Sequence, residues 1–141
     1  MLHQLLPTAS RVHRVNPSSS PTCRHCPVGS PEAEEDQEHA LLLCGRNQGV
    51  GGMLLTILTR HVGPMSHQDV LHLNFQCPSS MELPVTWLIL SLLSSVWERR
   101  KLGKMNKNEV FSDIRARMDL WRKSEKANIY FHSINKLISS L

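Results

Sequence analysis

The sequence has no acidic residue before Glu32, few aromatic side chains (one tyrosine, three phenylalanines and three tryptophans) and only four cysteines in 141 residues. It carries no glycine-rich phosphate loop, no G-x-S-x-G turn, no H-E-x-x-H pair and no dinucleotide glycine pattern. No two aspartates stand side by side, as in many two-metal phosphoryl-transfer sites. Catalytic designs that announce themselves by spacing are missing. The expectation is a protein that is not an enzyme and takes no small-molecule substrate.

A secretory leader is not expected either. Leu2, Leu5 and Leu6 make too short an apolar stretch, and Pro7 interrupts them. Arg11, Arg14 and Arg24 in an acid-free start faintly resemble a mitochondrial leader, but Pro7, Pro17 and Pro21 oppose its amphipathic helix. The longest apolar run, residues 83–97, has 15 residues. A membrane span needs about 20, so a buried core helix is expected and no membrane partner. In an intracellular setting without export, four cysteines point to metal binding before disulfides.

What is present is unevenly placed. The net charge is +4, yet residues 98–141 hold eleven Lys/Arg against five Asp/Glu. Such an end attracts phosphate backbones or acidic partners. Residues 1–22 read as an irregular lead-in, 23–47 as a Cys/His unit and 48–141 as a helical region with a basic C-terminal part. Helices are expected over 38–43, 53–62, 66–73, 84–100, from Asn106 through the Val110, Ile114, Met118, Trp121 stripe, and over 127–138. Asp113 and Arg117, four apart, are expected to pair. The fold class is mainly α: a small zinc-stabilised loop and helix unit, then a bundle of three to five helices.

Cys23, Cys26, His39 and Cys44 are spaced C-x2-C-x12-H-x4-C. Zinc takes four tetrahedral thiolate or imidazole donors, and a close cysteine pair plus a distant pair can close a loop around it. The segment between them has few apolar side chains. Ordering it costs about 1–2 kcal/mol per residue, whereas a structural zinc contributes roughly 10–16 kcal/mol. Zinc is therefore the expected cofactor. His25 in place of His39, or Cys77 in place of Cys44, remains open, with His61, His67 and His72 also available. His39 and Cys44 are five apart, which does not put both on one face of an α-helix, so the helix is expected to end or distort there. A DNA-reading ββα finger is excluded. Ser30 and Asp36 stand where it needs large apolar residues, and the acidic run from Glu34 to Glu38 repels phosphate. No βαβ pattern supports a redox dithiol.

Ser20-Pro21-Thr22-Cys23-Arg24-His25-Cys26, followed by Glu38-His39-Ala40-Leu41-Leu42-Leu43-Cys44, resembles the zinc-binding region that follows the reverse transcriptase in non-LTR retrotransposon polyproteins. The Arg11-Val12-His13-Arg14 lead is similar to the same region, and Trp97-Glu98-Arg99-Arg100-Lys101 looks like its downstream Trp-basic feature. The resemblance is specific over residues 11–47. It implies a metal-bound retroelement fragment touching RNA or DNA, without polymerase activity. Arg99, Arg100, Lys101 and Lys104 are the expected nucleic-acid contacts, with Arg115, Arg122 and Lys123 beyond them, Arg11, Arg14 and Arg24 as a second patch, and Trp97, Trp121 or Tyr130 as stacking rings. The alternatives are a module that binds another protein and an inert retroelement fragment.

Overall fold

A computed structural model describes residues 6–141; Leu2 and Leu5 of the leader argument lie outside them. Helices run over Ala9–Val15 (α1), Val50–His61 (α2), His67–His72 (α3), Ser79–Lys101 (α4), Lys107–Arg122 (α5) and Phe131–Ser140 (α6). A π turn, His39–Leu43, and 3-10 turns, Gly45–Asn47 and Glu125–Tyr130, join them. Among the described residues there is no strand, only an isolated antiparallel bridge between Thr22 and Glu34. The fold is mainly α, as expected.

The lead-in is irregular apart from α1, which fits between Pro7 and Pro17 and is capped by the Thr8 hydroxyl. Helix α2 begins three residues earlier than expected, because Gly49 takes a left-handed conformation (φ 76°) that starts it. Ser66 and Asp69 form a reciprocal capping box on α3. The Asn106 side chain accepts from the amides of Asn108 and Glu109 to start α5.

Helix α4 is the spine. It extends back to Ser79, with Pro78 at its N-cap, so it is 23 residues long and passes the length and composition test for a membrane span. The helix expected over 84–100 thus starts five residues earlier, with Pro84 inside it. Proline withholds only one amide, and the carbonyl it deprives, that of Ser80, belongs to an exposed residue. Of its most apolar stretch, 56% is buried inside the fold. Val85, Leu88, Ile89, Leu92 and Val96 are fully buried and pack against α5, α6 and the π turn. From α5, Val110, Ile114 and Met118 join them, and from α6, Ile134 and Leu137. Trp121 stands between Trp87 and Tyr130, with ring centroids 5.5 and 6.1 Å away. Ile129, counted as apolar for the last helix, is instead exposed on the 3-10 turn that precedes α6.

The ion pairs follow packing more than sequence spacing. Asp113 accepts from Arg99 at 2.8 Å and from the Ser95 hydroxyl at 2.9 Å. Arg117 reaches Glu98 at 3.6 Å and the Ser91 carbonyl at 3.3 Å. In place of the expected Asp113–Arg117 ion pair, each side chain takes a partner on α4, and Arg117 acts on Asp113 through its charge.

Candidate metal centre

The segment carrying the cysteines has little core of its own and is organised by backbone pairing. The Cys23 amide donates to the Ala33 carbonyl at 2.8 Å and the Glu35 amide to Pro21 at 2.9 Å. These bonds bring the two arms of the Pro-rich loop together and fix the Cys23–Cys26 knuckle at its mouth. The His25 amide donates to Cys23 Sγ at 3.4 Å.

The second pair of donors comes from the π turn. Asp36 Oδ1 accepts from the His39 amide at 2.8 Å and starts the turn. The Cys44 amide donates to the His39 carbonyl at 2.7 Å, a bond spanning five residues. That widened turn brings His39 and Cys44 to the same side, which an α-helix cannot do. It also displaces the normal ladder, and the buried Asn47 compensates by donating to the Ala40 carbonyl at 2.9 Å. Gly51 completes the support. A Cβ there would lie 2.5 Å from the Leu42 carbonyl oxygen, so only glycine lets α2 lie this close to the turn.

The result is a group able to hold a metal ion: one ligand atom each from Cys23, Cys26, His39 and Cys44, all within 4.8 Å of one another. Cys23 Sγ and Cys44 Sγ are 3.8 Å apart, Cys26 Sγ and Cys44 Sγ 3.9 Å, and Cys26 Sγ and His39 Nε2 3.3 Å. A tetrahedral zinc with bonds of about 2.3 Å to sulfur and 2.0 Å to nitrogen has S–S edges of about 3.8 Å and S–N edges of about 3.5 Å. The donor set fits such an ion.

A buried guanidinium closes the site from below. Arg100, 3% exposed, donates from Nη2 to Glu35 Oε2 at 2.7 Å and to Cys23 Sγ at 3.1 Å, and Nη1 lies 3.5 Å from Asn47 Oδ1. Glu35 Oε1 also accepts from the Ala9 amide at 3.0 Å. Burial would raise the Cys44 thiol, but the hydrogen bond and charge of Arg100 and the Arg46 amide outweigh it and lower it. Cys26 goes the other way: burial, its hydrogen bond to Cys23 and the charge of Cys44 push it up to about 12. His39 is lowered, first by burial and then by Arg100. Without a metal the cluster resists holding all its thiols as thiolates. A divalent cation would supply the missing charge.

The structure therefore brings together all four ligands read from the sequence. His25 and Cys77 are outside the group, as are His61, bonded to Ser140 at 2.7 Å, His67 and His72. The phosphate-contact expectation needs correction at Arg100, which is buried beneath the metal site and committed to Glu35 and Cys23. Arg99 is drawn into Asp113 and Glu109. Lys101 and Lys104 are exposed. Arg122 is held by Asp119 and Asn135, and Lys123 by Asp119. Trp121 and Tyr130 are in the ring cluster, and Trp97 packs against the core. Glu35 and Asn47 were missed. The signal for Arg100 was present: Ile89, Leu92, Val96 and Arg100 continue one helical stripe, so a basic residue falls where an apolar one is due. No family model, curated protein or solved structure matches the chain.

Proposed function

We propose that the chain is a non-catalytic zinc-binding accessory module derived from a non-LTR retrotransposon reverse transcriptase polyprotein, and that the zinc is structural. The observation that carries the metal assignment is the Cys3His group, its donor atoms all within 4.8 Å of one another: bound to one zinc, they would complete its tetrahedron and leave no position for a substrate or water. Thiolate-rich tetrahedral sites favour zinc over magnesium or calcium, which want oxygen donors. The zinc would tie the knuckle, the π turn and, through Arg100, the C-terminal end of α4 into one body. The retroelement origin rests on the motif over residues 11–47.

Nucleic acid is the partner this reading favours. Arg46 Nη2 lies 3.4 Å from the Gly103 carbonyl, and Gln48 accepts from the Lys107 amide at 3.1 Å. These contacts draw the exposed Lys101, Lys104 and Lys107 up beside the metal-bearing segment, with Arg46 among them. Binding of single-stranded RNA should weaken with salt at a slope near −0.7 per phosphate neutralised, and Lys101→Glu with Lys104→Glu should lower that slope. An unchanged slope would remove these lysines from the interface. Zinc titration tests the metal: one equivalent should bind, and both Cys23→Ser and His39→Ala should abolish it while Cys77→Ser does not.

One observation favours a protein partner instead. Trp87 and Leu83 are 41% and 45% exposed, and an apolar groove of about 470 Å³ along α4 is lined by Leu6, Leu41, Trp87, Leu90, Leu93 and Trp97. A pull-down that survives nuclease and is lost with Trp87→Ser would support this second reading.

A further inference from the structure

The three sulfurs of the cluster are unequally protected. Cys23 Sγ accepts from the Arg100 guanidinium at 3.1 Å and from the His25 amide at 3.4 Å. Cys44 is 1% exposed, so its sulfur is shielded by burial. Cys26 is half-buried. Its sulfur's partners among the described residues are fellow ligands: His39 Nε2, Cys44 Sγ and Cys23. An N–H directed at a thiolate withdraws electron density from it and blocks one line of approach. Exposure and thiolate character together decide which cysteine an oxidant meets first.

On the zinc reading above, we propose that Cys26 is a site of oxidation by hydroperoxides, reached before Cys23 and Cys44. The Cys26 thiolate attacks one oxygen of hydrogen peroxide. The O–O bond breaks, hydroxide leaves, and Cys26 becomes a sulfenic acid. The Cys44 thiolate, 3.9 Å from Cys26, then attacks that sulfur. An S–S bond forms, the S–O bond breaks and a second hydroxide leaves. Two thiolates have lost two electrons and the peroxide has gained them. The metal loses two of its four ligands and is released. Distance alone would not select this thiol, because Cys23 Sγ is as close to Cys44 Sγ, at 3.8 Å, as Cys26 is. The selection comes from the burial of Cys23 and Cys44 and from the donors that Arg100 and the His25 amide direct at Cys23.

The test uses the full chain loaded with one equivalent of zinc. Substoichiometric hydrogen peroxide is added with dimedone to trap sulfenic acid, a chromophoric chelator reports released zinc, and peptide mass spectrometry locates the adduct. The expected result is zinc release with adducts at Cys26 exceeding those at Cys23 and Cys44 combined by about tenfold. In Arg100→Gln loaded with zinc, adducts spread to Cys23, which loses its guanidinium donor. The native chain decides the matter by itself where that variant fails to fold. A native ratio below about threefold, or no adduct at Cys26, overturns the assignment while leaving zinc binding intact. A chain that takes up no zinc before peroxide is added overturns both readings.

Discussion

Replacing Arg100 with methionine should destabilise the protein by about 3–5 kcal/mol, the cost of removing one partner from a buried ion pair. The side chains of Arg100 and Glu35 are 2% and 9% exposed and meet at 2.7 Å, so solvent does little to screen the loss. Methionine fills the space of the stem but donates nothing. Glu35 keeps the Ala9 amide, and the 3.1 Å donor to Cys23 Sγ disappears. For a chain of this size the loss lowers the midpoint of thermal unfolding by roughly 10–15 °C. Removing the carboxylate as well, with Glu35→Leu in the same chain, should recover most of it, because no uncompensated charge is then buried. Circular dichroism melts of the zinc-loaded proteins measure both. Acid response supplies a second readout. Burial alone would raise the Glu35 carboxyl, but hydrogen bonds from Arg100 and Ala9 hold it below its ordinary value. Its contribution is therefore complete above that ordinary value and is lost as pH falls through the depressed folded value. In Arg100→Met the desolvation is left opposed by Ala9 and Cys23 without the guanidinium, so acid destabilisation begins at a higher pH than in the native chain. A single variant that loses less than about 1 kcal/mol, as an exposed pair would, refutes the argument. So does a double variant no better than the single one.

The other predictions concern the supports of the site. Gly51→Ala should cost about 1–3 kcal/mol and weaken zinc uptake, because its Cβ meets the Leu42 backbone, while Gly52→Ala, with nothing within 4 Å, should be neutral or stabilising by up to about 1 kcal/mol. Equal urea midpoints for the two would contradict the close approach of α2 and the π turn. Asn47→Ala should cost about 1–3 kcal/mol by orphaning the Ala40 carbonyl, read in the same urea series. Ser66→Ala removes the α3 capping box and should cost about 1 kcal/mol, speeding amide exchange over α3 while leaving zinc stoichiometry at one.

The ligand set was legible because metal coordination constrains residue type and spacing at once, and few other arrangements need Cys, Cys, His and Cys. The turn that presents His39 and Cys44 was legible only as a difficulty. A five-residue separation breaks α-helical registry, and the remedy, a π turn backed by Asn47 and Gly51, depends on contacts that neither periodicity nor propensity encodes. Arg99 and Arg100 look alike in a basic run, yet one turns toward α5 and the other under the metal site. Charge density marks a surface only on average, and the phase of the helix decides each case. Glu35 disguised itself in the same way within an acidic loop. The helices after residue 48 were legible from their apolar residues, whereas α1, in the lead-in expected to be irregular, was not. Their ends were less so, since Gly49, Pro78 and Pro84 act through backbone geometry that tolerates more than a simple stop rule.

The guanidinium beneath the cluster lies 77 residues after Cys23. At a synthesis rate of roughly 5–20 residues per second, a ribosome delivers all four ligands several seconds before it delivers that counter-charge. On the zinc reading, metal capture would precede the bundle, with the nascent loop loaded first and the later helix closing over it. A peptide ending before Arg100 would carry every ligand and still lack the floor of its own site.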